Sequence, residues 1–203
     1  MDVLPWIFSS GWASGINGYA VVVVLGVLGR LGADDVPPAL ERTDVLVAAL
    51  VLWCIDAVAD KIPYVDSTWD AVHTAIRPTI GAIVAALIAG DQGTLGQATA
   101  AVVGGGTALA SHLVKAGIRL GVNTSPEPAS NIVVSTAEDV TVAGVVSLSL
   151  IAPWLAAGIA AVLLATGITV VALLVGRIRA YLRRRRERRE RKAALTAASR
   201  AAP

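Results

Sequence analysis

Residues 140–176 read VTVAGVVSLSLIAPWLAAGIAAVLLATGITVVALLVG, a run without one charged side chain that ends against Arg177, Arg179 and the block Arg183 to Arg186. A helix crossing the hydrocarbon of a bilayer needs about 20 mostly apolar residues. The run is longer than one crossing, and Pro153-Trp154 inside it marks an interfacial turn or a kink. The basic block behind it is a positive-inside signal, which sets the last helix end on the cytoplasmic side. Residues 3–29 and 92–114, also free of Asp, Glu, Lys and Arg, reach spanning length too. Of the 203 residues 55% are hydrophobic and 16% charged, far more apolar than a soluble domain. The expected fold class is therefore an all-α membrane protein.

Working outward, the sequence predicts six spans. The first runs from Trp6 to Leu31 and begins with a glycine-rich segment, Gly11 to Tyr19, suited to tight packing or a broken helix. A polar loop with Pro37 and Pro38 follows, and Thr43-Asp44 offers N-cap chemistry for a short second span, Asp44 to Asp60. Lys61 to Asp66 reads as an interfacial turn anchored by Tyr64, and Ser67 with Asp70 has capping-box spacing for a third helix, Thr68 through Pro78 to Gly90. The fourth span, Leu95 to Leu120, carries a small-residue stripe at Gly96, Ala100, Gly104 and Ala108. After a second Pro-rich loop, Asn123 to Asn131, Ser135 and Glu138 repeat the capping-box spacing before a fifth span, Asp139 to Ala152; the sixth is Leu155 to Val175. Five spans result instead if residues 140–176 form one span plus a re-entrant piece. Six would put both termini in the cytoplasm of a bacterial cell, with the chain in its inner membrane. The Met-Asp start, without a basic n-region, reads as a retained span and not a cleaved signal.

The domain reading is a transmembrane unit, residues 1–176, and a basic cytoplasmic tail, residues 177–203. A shift of 95 residues pairs Asp44-Val45-Leu46-Val47-Ala48 with Asp139-Val140-Thr141-Val142-Ala143 and sets Asn17 against His112. The shared order of loops and helices allows two inverted three-helix repeats, 6–90 and 95–176; an ordinary six-helix bundle is the alternative.

The formal charge of +2 divides unevenly: from Arg177 onward there are 11 basic residues against two Glu, leaving 6 basic and 13 acidic residues before it. Ionisable groups inside a membrane are costly and are functional candidates by default. Asp56 and Asp60, one turn apart, together with Asn17, His112, Glu127 and Asp139, are the candidates for a transport path. Asp60 could equally pair with Lys61. Lys115, Arg119, Arg183 and Arg184 are candidates for lipid phosphate. Asp66, Asp70, His73 and Arg77 share one helical face, which reads either as a metal site or, more simply, as a cap and an ion pair, so a metal stays undecided. Cys54, the single cysteine, reads as a small buried hydrophobe. No nucleophile elbow, phosphate loop, zinc-protease motif or dinucleotide fingerprint is present, so neither an enzyme nor a cofactor is expected, and nucleic acid is not an expected partner.

Three strings, Phe8 to Tyr19, Asp60 to Ser67 and Ser125 to Asn131, together resemble a bacterial integral-membrane family catalogued as a domain of unknown function. The resemblance spans Phe8 to Val175 and leaves the Arg-rich tail outside. It implies a membrane location and no activity. Two functions are consistent with this reading. One is a small transporter or channel, cation or proton linked, with Asp56, Asn17 and His112 on a path between two halves. The other is a non-transporting scaffold or a lipid-binding or lipid-translocating protein, whose small-residue faces pack helices, including those of a homo-oligomer. A polar vestibule reaching Asp56 or His112 would favour the first, and a dry interior the second.

Overall fold

The computed structural model of the chain describes residues 3–62, 64–90, 92–122 and 128–201, with side chains except at 122, 128–131 and 191–201. All regular structure among the described residues is helical: α1 (Val3–Arg30), α2 (Thr43–Ala59), α3 (Val65–Ala89), α4 (Gly93–Val122), α5 (Pro128–Ile151) and α6 (Pro153–Ala201), with one 3-10 turn (Pro38–Glu41) before α2. Five of these, all but α2, contain stretches long and apolar enough to cross a membrane. Val47, Val51 and Ile55 on α2, and Val162, Ile168 and Leu173 on α6, point outward, as expected where lipid is the solvent.

Glycines set the centre of the bundle. A Cβ on Gly11 of α1 would sit 2.7 Å from the Gly104 carbonyl oxygen of α4, and one on Gly104 would sit 2.6 Å from the Gly81 carbonyl oxygen of α3. Gly15 faces Ala108 and Ser111 in the same way. Without side chains at these positions three backbones approach to contact, and dispersion replaces the hydrophobic force that lipid does not supply between helices. Gly104 and Ala108 of the small-residue stripe belong to this contact, whereas the nearest atoms to a Cβ on Gly96 are those of Gln92, just before α4.

The contacts also fix helix direction. Gly11 to Gly104, Gly15 to Ala108 and Lys115 to the Ile16 carbonyl ascend together, so α1 and α4 run the same way. The pairs Ala85 with Gly104 and Thr74 with His112 make α3 antiparallel to both. Gly167 against Val114 and Gly117 against Val171 set α6 parallel to α4. The chain breaks for one residue at Ala152, and Ala137 and Leu164 line a common cavity, so α5 folds back on α6.

These directions correct the expected inverted repeat, because two inverted halves would run α1 and α4 in opposite senses. They also change the role of α2. Its start lies beside the end of α1, where Gly26 meets Leu40 and Leu46, and its end, Asp60, lies beside Arg119 near the end of α4. α2 therefore leaves and rejoins the same end of the bundle.

Boundaries moved where capping was expected. The fifth helix begins at Pro128, with proline in the first turn where its missing N–H is no loss, so Ser135, Glu138 and Asp139 lie inside α5 and cap nothing. At α3 the Asp66 carboxylate accepts the Ser67 N–H, and Asp70 points into the bundle instead of back to Ser67. The last helix, by contrast, continues past the span's end at Val175 through the basic tail, as its Arg cluster suggests. Cys54 is exposed, on the outer side of α2.

The glycine contact gives a direct test. Gly104→Ala should lower the thermal stability of the protein in detergent by about 1–3 kcal/mol, whereas Gly106→Ala, where a Cβ would meet nothing within 4 Å, should leave the melting temperature unchanged or raise it slightly, since alanine is the better helix former. Equal effects at both positions would contradict the packing described.

Candidate functional site: a buried ion-pair network beside a broken helix

The site begins with a fault in α1. Asn17 has φ −151° and ψ 92°, outside the helical region, and divides the helix in two. Its side-chain oxygen accepts the Ala20 N–H at 3.0 Å, the bond an N-cap makes to the third residue of a new helix. In an unbroken helix Ala20 would have bonded Ile16, so the Ile16 carbonyl is released. The Lys115 ammonium takes it at 3.1 Å. A cation thus ends the first half-helix, where the dipole is negative, and Asn17 with its partner Asp139 opens the second. Asn17 Nδ2 donates to Asp139 Oδ1 at 3.0 Å, and Trp53 Nε1 lies 3.5 Å from the same oxygen.

Around this break lie two sets of buried charges. In the first, Arg77 of α3 donates through Nη2 to Asp56 Oδ1 of α2 at 3.1 Å and through Nη1 to Asp70 Oδ1 at 3.0 Å, and Trp69 Nε1 gives Asp56 a further bond of 2.7 Å. The second set joins four segments. Lys115 pairs with Asp60 and lies 3.4 Å from Glu138 of α5. Arg119 bonds the Asp60 carbonyl, Asp60 Oδ2 at 3.4 Å and Glu138 Oε2 at 2.6 Å, with Asp66 Oδ2 at 3.6 Å. The turn between α2 and α3, with Tyr64 held at φ 70°, brings Asp60 and Asp66 to one guanidinium.

Both histidines are hydrogen-bonded to buried neighbours. A guanidinium only donates, so His112 Nδ1, 3.4 Å from Arg77 Nη1, is the acceptor and the proton sits on Nε2, which donates to Thr74 Oγ1 at 3.1 Å. The Thr74 hydroxyl passes on to the Asp70 carbonyl. His73 Nδ1 donates to the Trp69 carbonyl at 2.8 Å, and Nε2 lies 3.1 Å from the Tyr19 hydroxyl and 3.9 Å from Asp56 Oδ1. Both rings belong to buried hydrogen-bond chains.

Each expected residue can now be placed. Asp56 and Asp60 do not line one path: they serve different cations, and Lys61 bonds the Ala57 carbonyl instead of Asp60. Asn17 and Asp139 do meet, at the helix break. His112 is fully buried in the Arg77 set and, like Asp56 and Asn17, lines none of five surface cavities of about 320–580 Å³. Glu127 lies outside the described residues. Lys115 and Arg119 are enclosed by carboxylates, which corrects their reading as ready lipid-phosphate ligands. Arg183 and Arg184 are exposed on α6, and Arg183 pairs with Glu187. Asp66, Asp70, His73 and Arg77 share a buried face of α3 as their spacing requires, but form ion pairs and hydrogen bonds; among the described residues no group of three or more His, Cys, Asp or Glu side chains has metal-site geometry.

Glu138 is the residue that the sequence leaves out of the candidate path, because its spacing from Ser135 favours a cap over an acid facing a cavity. Pro128, a good first-turn residue, was the signal that the helix starts earlier and carries Glu138 into the interior. A cavity of about 340 Å³ between α1, α4, α5 and α6 reaches the charged network at Lys115 and Glu138, with apolar walls that include Trp12, Ile16 and Leu164.

The fold and site define a multi-pass type of helical membrane protein, with an ion-pair network built around a discontinuous helix. More particularly, the family described as Domain of unknown function (DUF4126) matches residues 4–173, and the chain belongs to it. No curated protein and no solved structure matches the chain.

Truncating Arg77 leaves two buried carboxylates without a cation, whereas Asp56→Asn leaves Arg77 its bond to Asp70. Arg77→Gln should therefore destabilise the protein by about 3–5 kcal/mol and Asp56→Asn by clearly less, as read from thermal unfolding in detergent. The reverse order would contradict the assignment of Arg77 as the shared partner.

Proposed function

We propose that this protein is a small proton- or cation-linked membrane transporter that works through its acid-rich network, entered at Lys115 and Glu138 instead of through a path between two halves. One observation carries the reading. Five carboxylates, Asp56, Asp60, Asp66, Asp70 and Glu138, surround three bases, Arg77, Lys115 and Arg119. In hydrocarbon that surplus of negative charge has to be offset by a proton, on a carboxylate or on His73 beside Asp56, or by another cation. Asp60 Oδ1 and Asp70 Oδ2 are buried without a hydrogen-bond partner among the described residues, so they are the atoms nearest to hand for such an exchange. The half-helix ends at Asn17 and Ile16 are of the kind that discontinuous helices bring to transporter sites.

The same reading covers topology. With α2 returning to its own side, α1, α3, α4, α5 and α6 make five crossings in the inner membrane of a bacterium, and the basic tail sits on the cytoplasmic side. An odd number of crossings puts the N-terminus outside, in place of the two cytoplasmic ends expected from six. In a Cys54→Ser background, a cysteine at Leu4 should react with a membrane-impermeant maleimide in intact cells and one at Leu182 only after lysis. Identical labelling of the two would remove the five-crossing arrangement.

A second reading, a non-transporting membrane subunit with no catalysis of its own, draws support from the close-packed α1–α3–α4 contact and from Asp56 and His112 lying off the five cavities. Flux separates the two. Proteoliposomes carrying a lumenal pH dye should dissipate an imposed proton gradient faster than empty vesicles, and Glu138→Gln should slow this by about tenfold. Dissipation no faster than in empty vesicles, across potassium, sodium and choline buffers, would leave the second reading.

A further inference from the structure

We infer that the cavity at Glu138 is a binding site for a lipophilic organic cation, one with an apolar body and a single positive charge. The inference deepens the transport reading by naming its substrate class, and its purpose rests on that reading.

The donors at the polar end of the cavity are already engaged. An ammonium has three hydrogens, and Lys115 has three acceptors around it: the Ile16 carbonyl at 3.1 Å, Asp60 Oδ2, and Glu138 Oε2 at 3.4 Å. The terminal nitrogens of Arg119 are directed at Asp60, Asp66 and Glu138. Arg119 Nε has no hydrogen-bond partner among the described residues but is buried off the cavity wall, so an anionic headgroup in the cavity would have to displace a carboxylate to find a donor. Acceptor capacity, in contrast, is left over. Both bases converge on Oε2 of Glu138, and no described group hydrogen-bonds Oε1. Glu138 is also the network member that faces the cavity, with 18% of its side chain exposed against 5% or less for Asp60, Lys115 and Arg119. Charge complementarity therefore selects a cation.

The rest of the cavity selects an apolar body. Trp12, Ile16, Val134, Leu164 and Gly167 form its walls, and about 340 Å³ is the size of a small-molecule pocket. α4 and α5 barely pack on each other, and Val133 and Leu163, both exposed, stand at the mouth, so entry is from the lipid side. Lys115 lies seven residues before the end of α4, about 10 Å inside the helix end. The site is thus within one leaflet, at a depth where a lipophilic cation partitions with its charge still near the interface.

Tetraphenylphosphonium and tetraphenylborate, of one shape and opposite charge, are the probes. Titrated into the purified full-length protein in nanodiscs, the phosphonium should bind at least about tenfold more tightly than the borate. Glu138→Gln should weaken phosphonium binding by about tenfold or more. Since that variant also removes an Arg119 partner, Ala137→Trp, which fills the cavity from α5 without touching an ion pair, serves as the second, with melting curves to show that each is folded. Equal affinity for the two ions, preference for the borate, or unchanged affinity in folded Ala137→Trp would overturn the inference. Phosphonium binding without proton flux in proteoliposomes keeps the site and removes transport; flux without binding keeps transport and removes the site.

Discussion

Lys115 holds its ammonium where a membrane offers no water, and the acceptors it uses come from three different segments: the broken end of α1, the last residue of the α2 turn and the middle of α5. A charge at bilayer depth is worth stabilising only if all its hydrogens are engaged. That requirement ties the break at Asn17 to the return of α2 and to the early start of α5. Without the break the Ile16 carbonyl would be spent inside its own helix. Had α2 crossed the bundle, its end would lie far from Lys115. With α5 starting at Asp139, Glu138 would stand at a helix end instead of inside α5 beside Asp139, the partner of Asn17. The glycine contacts of α1, α3 and α4 serve the same end, since they bring the helices near enough for short side chains such as Asp56, Ser111 and Thr74 to reach across.

The network falls into two parts with different access. The Arg77 set lies away from the Lys115–Glu138 cavity, its side chains paired with one another apart from Asp70 Oδ2, and behaves as a structural polar core. The Lys115–Arg119 set shares a wall with a cavity and has acceptor capacity to spare. Sequence alone gives both sets the same standing, as charges within apolar helices; only the path of α5 distinguishes them.

Much of the fold was legible because lipid makes the hydrophobic run a strong signal. The charge-free stretches, the turn at Pro153 and the basic end after Gly176 gave all the long helices, and the spacing of Asp66, Asp70, His73 and Arg77 placed them on one face of α3. The glycine-rich start of α1 pointed to tight packing or a broken helix, and both are present. Direction was not legible. Hydropathy gives the length of a segment but not where it ends, so α2, apolar and 17 residues long, looked like a span although it rejoins its own side. Capping boxes misled twice for a related reason: Ser-x-x-Glu and Ser-x-x-Asp describe local spacing, while the carboxylates of Glu138 and Asp70 are drawn inward by Arg119 and Arg77. Partner choice among charges is tertiary, and neither the pairing of Asp60 with Lys115 nor that of Asn17 with Asp139 leaves a local trace.

The continuation of α6 through the tail has a consequence in distance. From Arg177 the helix runs on to Ala201, about 37 Å at the rise of an α-helix, while the attraction of a charged membrane surface fades over roughly 8 Å at cellular ionic strength. Held upright, the rod would show lipid only its first turn or two and offer the remaining arginines to the aqueous phase. Held flat, it would place its whole basic face on the headgroups. A hinge near Gly176 would therefore decide whether the tail acts as an anchor or as a mast.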